Sequence, residues 1–229
     1  MIIKYLAHSG FLIESDSGIK LGIDLWLENP INPFTLSEVP SLDYVFITHD
    51  HADHDLDTAI DLAKRDGSSF ISNFEIGQHA QNNGVVNIAS GNPGGAYRVG
   101  DILVSQTQAV HSSNIGIAVG FIIEVDGVTI YHMGDTSYFA GLDTLGKIYD
   151  IDILLVPIGS KYTMGPIEAS YAVDTLKPKV AIPMHYNTFD AISQDPQFFV
   201  SEVSHRDCST TIEVLNPGDQ FIFDNSEIV

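Results

Sequence analysis

Hydrophobic positions at the start of the chain alternate with polar ones instead of recurring every three or four residues. Tyr5-Leu6, Phe11-Leu12-Ile13-Glu14 and Ile19-Lys20-Leu21-Gly22-Ile23 read as three short strands, with Ser15-Asp16-Ser17-Gly18 as a turn. A loop rich in Pro and Asn, from Asn29 to Pro40, leads to the apolar strand Tyr44-Val45-Phe46-Ile47. The period then changes. Leu56, Ile60 and Ala63 stand at i, i+4 and i+7, which predicts a helix from about Asp55 to Lys64. Strand, helix and strand signals follow between Ser69 and Ile88, and a strand is expected over Ile102 to Val110.

The opening pattern then repeats. Gly10-Phe11-Leu12-Ile13-Glu14 and a Gly-containing turn lead to Asp24; Gly120-Phe121-Ile122-Ile123-Glu124, the turn Val125-Asp126-Gly127 and the strand Val128-Thr129-Ile130-Tyr131 lead to Asp135. Each copy also has an apolar strand ending at histidine, Val45 to His49 in the first and Val180 to His185 in the second. Two β-rich halves, each followed by helices, bury their apolar faces when two sheets pack face to face with helices outside. The fold class expected is therefore α/β (α+β), a four-layer αββα sandwich from two pseudo-repeated halves. Without a linker or charge block to divide it, the chain reads as one domain, 1–229.

Composition narrows the function classes. The chain has 229 residues, 44% hydrophobic and 17% charged, enough for a packed core. No apolar run reaches bilayer length, the N-terminus lacks a signal-peptide pattern, and a single cysteine, Cys208, cannot pair internally. The expectation is a cytoplasmic protein. Ten Lys+Arg stand against 30 Asp+Glu, a formal charge of −20, a field that repels polyphosphate backbones and anionic lipids. The partner expected is a small-molecule substrate, with no nucleic acid and no membrane; a homo-oligomer is compatible.

The densest chemistry lies in His49-x-His51-x-Asp53-His54, directly after a strand. Imidazoles at i and i+2 of an extended segment point the same way and can grip one cation. As the chain turns into the following helix, Asp53 and His54 are redirected toward a second position. Nitrogen and carboxylate donors suit zinc, manganese, iron or nickel. His111, Asp135 and His185 each close an apolar strand, so each is a further candidate ligand.

These residues resemble the metallo-β-lactamase superfamily: the His-x-His-x-Asp-His run, Gly134-Asp135, His111 and His185. Within it, several stretches resemble uncharacterised metal-dependent hydrolases related to ascorbate-6-phosphate lactonase. They are His8-Ser9-Gly10-Phe11-Leu12-Ile13, Tyr131 to Thr136, Pro157-Ile158-Gly159, Thr163 to Pro166, Pro183 to Phe189 and Gln194-Asp195-Pro196. The resemblance implies the metallo-β-lactamase fold and two divalent metal ions, Zn2+ first. It places His49, His51 and His111 on one metal, Asp53, His54 and His185 on the other, and Asp135 between them.

The chemistry expected is hydrolysis of a small ester, lactone or phosphoester by a hydroxide activated between two cations, with Asp53 both binding metal and orienting the nucleophile. Asp24, the repeat counterpart of Asp135, is the first candidate to fix the ligands, with His8 and His132 behind it. For those two histidines a buried role bonded to backbone is the alternative. Lys161 is the candidate contact for an anionic substrate, with Arg98 beside it; either can equally be a solvated surface charge. Asp50 is expected to point away from the site, and His79 and His205 to lie in helices at the surface. Trp26 is read as cleft wall, subunit contact or core. The rival function is a non-catalytic metal-binding or scaffold protein that retains the fold.

Overall fold

The computed structural model describes residues 1–224, so residues 225–229 of the expected domain lie outside the described residues. The first sheet is built from β1 (Ile2–Ala7), β2 (Gly10–Glu14), β3 (Lys20–Ile23) and β4 (Tyr44–Phe46). After α1 (Leu56–Asp66) come its fifth strand β5 (Ser69–Ile71) and α2 (Phe74–Asn82). The second sheet opens with β6 (Tyr97–Val99), β7 (Ile102–Gln108), β8 (Val119–Val125) and β9 (Val128–His132). Then follow α3 (Leu142–Ile148), β10 (Ile153–Pro157), α4 (Pro166–Leu176), β11 (Val180–Met184), α5 (Pro196–Ser204), β12 (Thr211–Ile212) and β13 (Gln220–Ile222). Strand order is β13-β1-β2-β3-β4-β5 in one sheet and β12-β11-β10-β9-β8-β7-β6 in the other.

The period-2 pattern sorts side chains into layers. In β2, Phe11 and Ile13 enter the core between the sheets while Leu12 faces the helices outside; in β10, Ile153 and Leu155 face inward while Leu154 and Val156 face out. The inter-sheet core also takes Phe46, Phe121, Ile123 and Ile182. Ala59, Ile60, Leu62 and Ala63 of α1 cover one outer face with α2; α3, α4 and α5 cover the other. This is the four-layer αββα arrangement. The predicted first helix starts one residue later, because Asp55 is its N-cap, accepting from Thr58 N at 3.1 Å, and it ends at Gly67 with φ +69°.

The repeat is visible in the topology, with one correction. β1, β2 and β3 pair antiparallel and then β4 and β5 add in parallel; β7, β8, β9, β10 and β11 follow the same scheme. Asp24 and Asp135 thus hold matching places after β3 and β9. The two histidine-terminated strands do not match: the strand before His49 is β4, equivalent to β10, whereas His185 follows β11, equivalent to β5. Apolar strands ending in a polar residue look alike in sequence; only the parallel crossovers assign the register between halves.

This topology also selects one edge. β1, β3, β4, β7, β9 and β11 are followed directly by the loops carrying His8, Asp24, His49 to His54, His111, Asp135 and His185. Within each sheet these strands run the same way, so their C-terminal ends lie together. No helix among the described residues is long and apolar enough to cross a membrane.

Candidate metal centre

The loop after β4 is held by its neighbour. Asp24 accepts from Thr48 N at 2.9 Å through Oδ1, and from Thr48 Oγ1 at 2.7 Å and His54 Nδ1 at 2.8 Å through Oδ2. Spending Nδ1–H on Asp24 turns Nε2 of His54 toward Asp135. Thr48 Oγ1 also lies 3.1 Å from His49 Nδ1, which leaves the Nε2 of His49 pointing into the site. A short 3-10 turn, Ala52–His54, then swings Asp53 and His54 away from the direction of His51.

Two groups of donor atoms result. His49 Nε2 lies 2.9 Å from His51 Nδ1, and His111 Nε2 lies 3.2 Å from the same nitrogen. The second group is Asp53, His54 and His185, joined by His8, with ligand atoms of all four within 4.8 Å of one another. Asp135 stands between the groups: its Oδ2 is 2.9 Å from His185 Nε2, 3.5 Å from His111 Nε2 and 4.0 Å from His49 Nε2, and its Oδ1 is 3.4 Å from His54 Nε2. Despite this proximity, His54 Nε2, Asp135 Oδ1 and both ring nitrogens of His185 are buried without a hydrogen-bond partner of acceptable geometry. Orphaned buried donors and acceptors are costly unless something else meets them. Imidazole nitrogens converging around a carboxylate fit divalent cations.

Backbone geometry places the remaining members. His8 (φ +56°) closes the turn between β1 and β2, and its carbonyl accepts from His185 N at 2.7 Å. Gly134 has φ +63°, and a Cβ there would stand 2.7 Å from Val119 O, so only glycine makes the turn into Asp135. Gly159, after β10, packs so close that a Cβ would collide with His185 O. Thr136 Oγ1 accepts from Val110 N at 2.9 Å, tying the loop of His111 to that of Asp135.

Burial and charge set the protonation. Burial lowers the pKa of His49 to about 3 and of His8 to about 4, so both rings are neutral at pH 7. Burial also opposes charge on His54, but Asp24 and Asp135 outweigh it and hold its pKa well above the ordinary histidine value. Burial works against ionised Asp135, and the facing His185 and His54 keep it well below the usual carboxylate range. Asp53 also stays ionised: the His8 hydrogen bond and nearby His54 overcome its burial.

His8 is nearer the chemistry than its sequence position suggests. Its Nε2 donates to Asp53 Oδ2 at 3.2 Å while Nδ1 accepts from Thr188 Oγ1 at 2.9 Å. Trp26, half-buried, meets the His8 ring edge-on at 5.4 Å. His132, in contrast, bonds to backbone: Nε2 donates to Ser9 O at 2.9 Å and Nδ1 accepts from Gly134 N at 3.2 Å, fixing the turn that delivers Asp135. Asp50 turns from the cluster yet latches the loop of His111, accepting from Ser113 Oγ at 2.8 Å and Asn114 N at 2.7 Å. Lys161 does not line the cleft. Its Nζ sits 5.0 Å from the centroid of the Tyr162 ring, and Tyr162 lines the cleft instead, with Phe189, His51, Asp53, His111 and His185. Arg98 is exposed on β6 beside Asp101 and Glu124. Cys208 is partly buried, His79 is half-buried in α2, and His205 is exposed just past α5. Sequence reading missed Thr188, Tyr162, Phe189 and the latch role of Asp50. Thr188 and Phe189 sit in the motif that contains His185; Tyr162 had no signal beyond the neighbouring Lys161.

Comparison with known proteins agrees with this architecture. The family model described as "Beta-lactamase superfamily domain" matches residues 2–185. A UPF0173 metal-dependent hydrolase of Staphylothermus marinus is 44% identical over 228 residues, 97% of this chain and 99% of that one. Another, from Pyrobaculum islandicum, is 40% identical over 224 residues, 96% of this chain and 98% of its own. Igni18, a metallo hydrolase of the hyperthermophilic archaeon Ignicoccus hospitalis, superposes with a TM-score of 0.89 at 35% identity, covering 97% of this chain and 99% of that one. On this match and these identities, the chain belongs to the metallo-β-lactamase superfamily and, within it, to the UPF0173 metal-dependent hydrolases.

Proposed function

We propose that this metal-dependent hydrolase uses two divalent cations to cleave a small ester, lactone or phosphoester. The observation that carries the reading is the pair of donor groups sharing Asp135, with His54 Nε2, Asp135 Oδ1 and His185 Nε2 buried and unpartnered. His49, His51 and His111 would hold one cation, Asp53, His54 and His185 the other, and Asp135 would serve both. Zinc is the first choice, and manganese, iron and nickel accept the same donors. When bound, such ions supply Lewis acidity for the electrophile and acidify a water molecule.

The chain's own residues do the rest. Asp53 is ionised and partly exposed at the cleft, so it can only accept; it orients the attacking water through that water's proton. His8, neutral and anchored by Thr188, keeps Asp53 in place. Asp24 fixes the orientation of the His54 ring in the same way. The cleft of about 410 Å³ suits a small molecule and not a polymer. Lactones remain among the substrates on the proposed kinship with ascorbate-6-phosphate lactonase, and the lone cysteine supports a cytoplasmic setting.

Elemental analysis of protein purified without chelators, beside Asp135→Ala, tests the site. About two metal equivalents in the wild type, falling below one in the variant, with turnover of a member of an ester, lactone and phosphoester panel, is the expected result. Full metal occupancy without turnover across the panel would favour a non-catalytic metal-binding or scaffold role. Failure to take up metal on reconstitution would sink the mechanism.

A further inference from the structure

The cleft above the cluster joins two kinds of surface. One wall is the donor set; the other is Tyr162 and Phe189, which are 46% and 37% exposed and lie open to whatever enters. Phe189 is backed by the His8 ring at 5.9 Å, which itself packs on His185 at 4.0 Å and on the edge of Trp26. The ring therefore has packed side chains behind it and offers an apolar surface to the cleft.

The cleft's charges are as informative as its rings. Among the described residues no lysine or arginine lines it; the nearest cation shown is the exposed Lys161, whose Nζ lies 5.0 Å from the centroid of the Tyr162 ring. Past Phe189 the surface continues into a second concavity that carries Asp190 and Asp195. The chain as a whole has a formal charge of −20. An anionic group carried past Phe189 would approach Asp190 and Asp195, with no guanidinium or ammonium among the residues lining either concavity.

We infer that the substrate is uncharged away from its reacting bond and carries an aryl or similarly flat apolar group, seated against Tyr162 and Phe189. This rests on the hydrolase reading, in which the reacting centre lies over the His and Asp donors. It separates the candidate classes: aryl esters and apolar lactones fit, and substrates with a remote phosphate do not.

Competition binding to the metal-loaded protein tests this with three compounds that share one metal-binding head: benzohydroxamate, acetohydroxamate and 4-phosphonobenzohydroxamate. Benzohydroxamate is expected to bind about 10-fold more tightly than acetohydroxamate, because only the aryl compound buries a ring. The phosphono compound is expected to bind about 10-fold more weakly than benzohydroxamate. Tyr162→Ala/Phe189→Ala should erase the aryl preference while metal content stays at the wild-type level; the wild-type comparison stands even if that variant does not fold. Equal binding of the aryl and methyl compounds overturns the inference, as does lack of binding by all three. Tighter binding of the phosphono compound, with that gain lost in Lys161→Ala, also overturns it and assigns Lys161 to an anionic substrate. Because the readout is binding, the preference can hold while turnover fails, which would sink the hydrolase reading alone. Turnover with the preference reversed would sink only this inference.

Discussion

Asp24 and Asp135 occupy the same place in the two halves of the molecule, each following the third strand of its repeat and each fully buried, yet their surroundings are opposite. Asp24 has every near neighbour as a hydrogen-bond donor: Thr48 N, Thr48 Oγ1 and His54 Nδ1. Asp135 is ringed by the Nε2 atoms of four histidines and keeps an unpartnered oxygen. The repeated strand scheme places two buried carboxylates at one edge. The first carboxylate holds the His54 ring; the second keeps an oxygen without a partner. In the proposed mechanism one aspartate serves the fold and the other the metal site.

The sharpest way to break that contrast is to remove each carboxylate from the metal-free protein. Asp24→Ala strips partners from two donors and from a buried imidazole, and should cost about 3–5 kcal/mol of unfolding free energy. Asp135→Ala should cost measurably less than Asp24→Ala, because it orphans no backbone or hydroxyl donor and removes only the attraction of the facing His54 and His185. Urea titrations of chelator-treated protein measure both. Equal losses would mean that Asp135 is as structural as its counterpart.

Acid should reach the metal-free site next. His49 and His8, at about 3 and about 4, resist protonation in the fold but not in the unfolded chain, where histidine titrates near 6.5. Between those values the unfolded state binds more protons, so stability falls as pH is lowered from about 6.5 to about 4. Each such histidine contributes about 1.4 kcal/mol per pH unit in that window. His54 runs the other way: with its folded pKa raised, its contribution is complete below about 6.5 and fades on the alkaline side. Melting temperature against pH, measured with chelator, should therefore drop steeply on the acid side. A flat profile from 7 to 4 would contradict neutral, buried His8 and His49.

Much of this was legible in the sequence, and the reason is geometric. A strand-end residue inherits its direction from the strand, so the His-x-His-x-Asp-His run, His111, Asp135 and His185 could be gathered at one edge from strand ends and the repeat, while their division between two cations came from the family resemblance. Alternation carries no information about partners in space. His8 and Asp53 are 45 residues apart, and His8 and Thr188 are 180 apart, so their hydrogen bonds had no local signature. The same limit misaligned β4 with β11, because both strands end alike. Lys161 was singled out for its charge, whereas two successive left-handed residues, Ser160 and Lys161, set its direction and left Tyr162 to line the cleft.

A milder perturbation asks whether the second half merely supplies ligands or also holds them. Gly159 has no room for a side chain against His185 O, and a Cβ would also lie 3.0 Å from His185 Nδ1. Gly159→Ala should cost about 1–3 kcal/mol through overpacking and displace His185. Metal analysis should then show selective loss of one equivalent, with His49, His51 and His111 still loaded. Loss of both equivalents would show that the two donor groups fill only together.

The smallest expected effect lies outside the donor set, at Asp50. Its Oδ1 takes hydrogen bonds from Ser113 Oγ and Asn114 N, which bind the loop after His111 to the His-x-His run. Those bonds hold the carboxyl below the usual range against partial burial, so the latch stays closed at neutral pH. Asp50→Ala removes the latch without touching a donor atom. It should cost about 0.5–1.5 kcal/mol of stability and weaken the first metal by about 2- to 10-fold. Asp50→Asn, which keeps a carbonyl acceptor for the same two donors, should recover most of that loss. A chelator competition series on the three proteins reads the difference. If Asp50→Ala binds metal as tightly as the wild type, the ties from Val110 to the Asp135 turn hold His111 unaided, and the first half contributes only ligands to that cation.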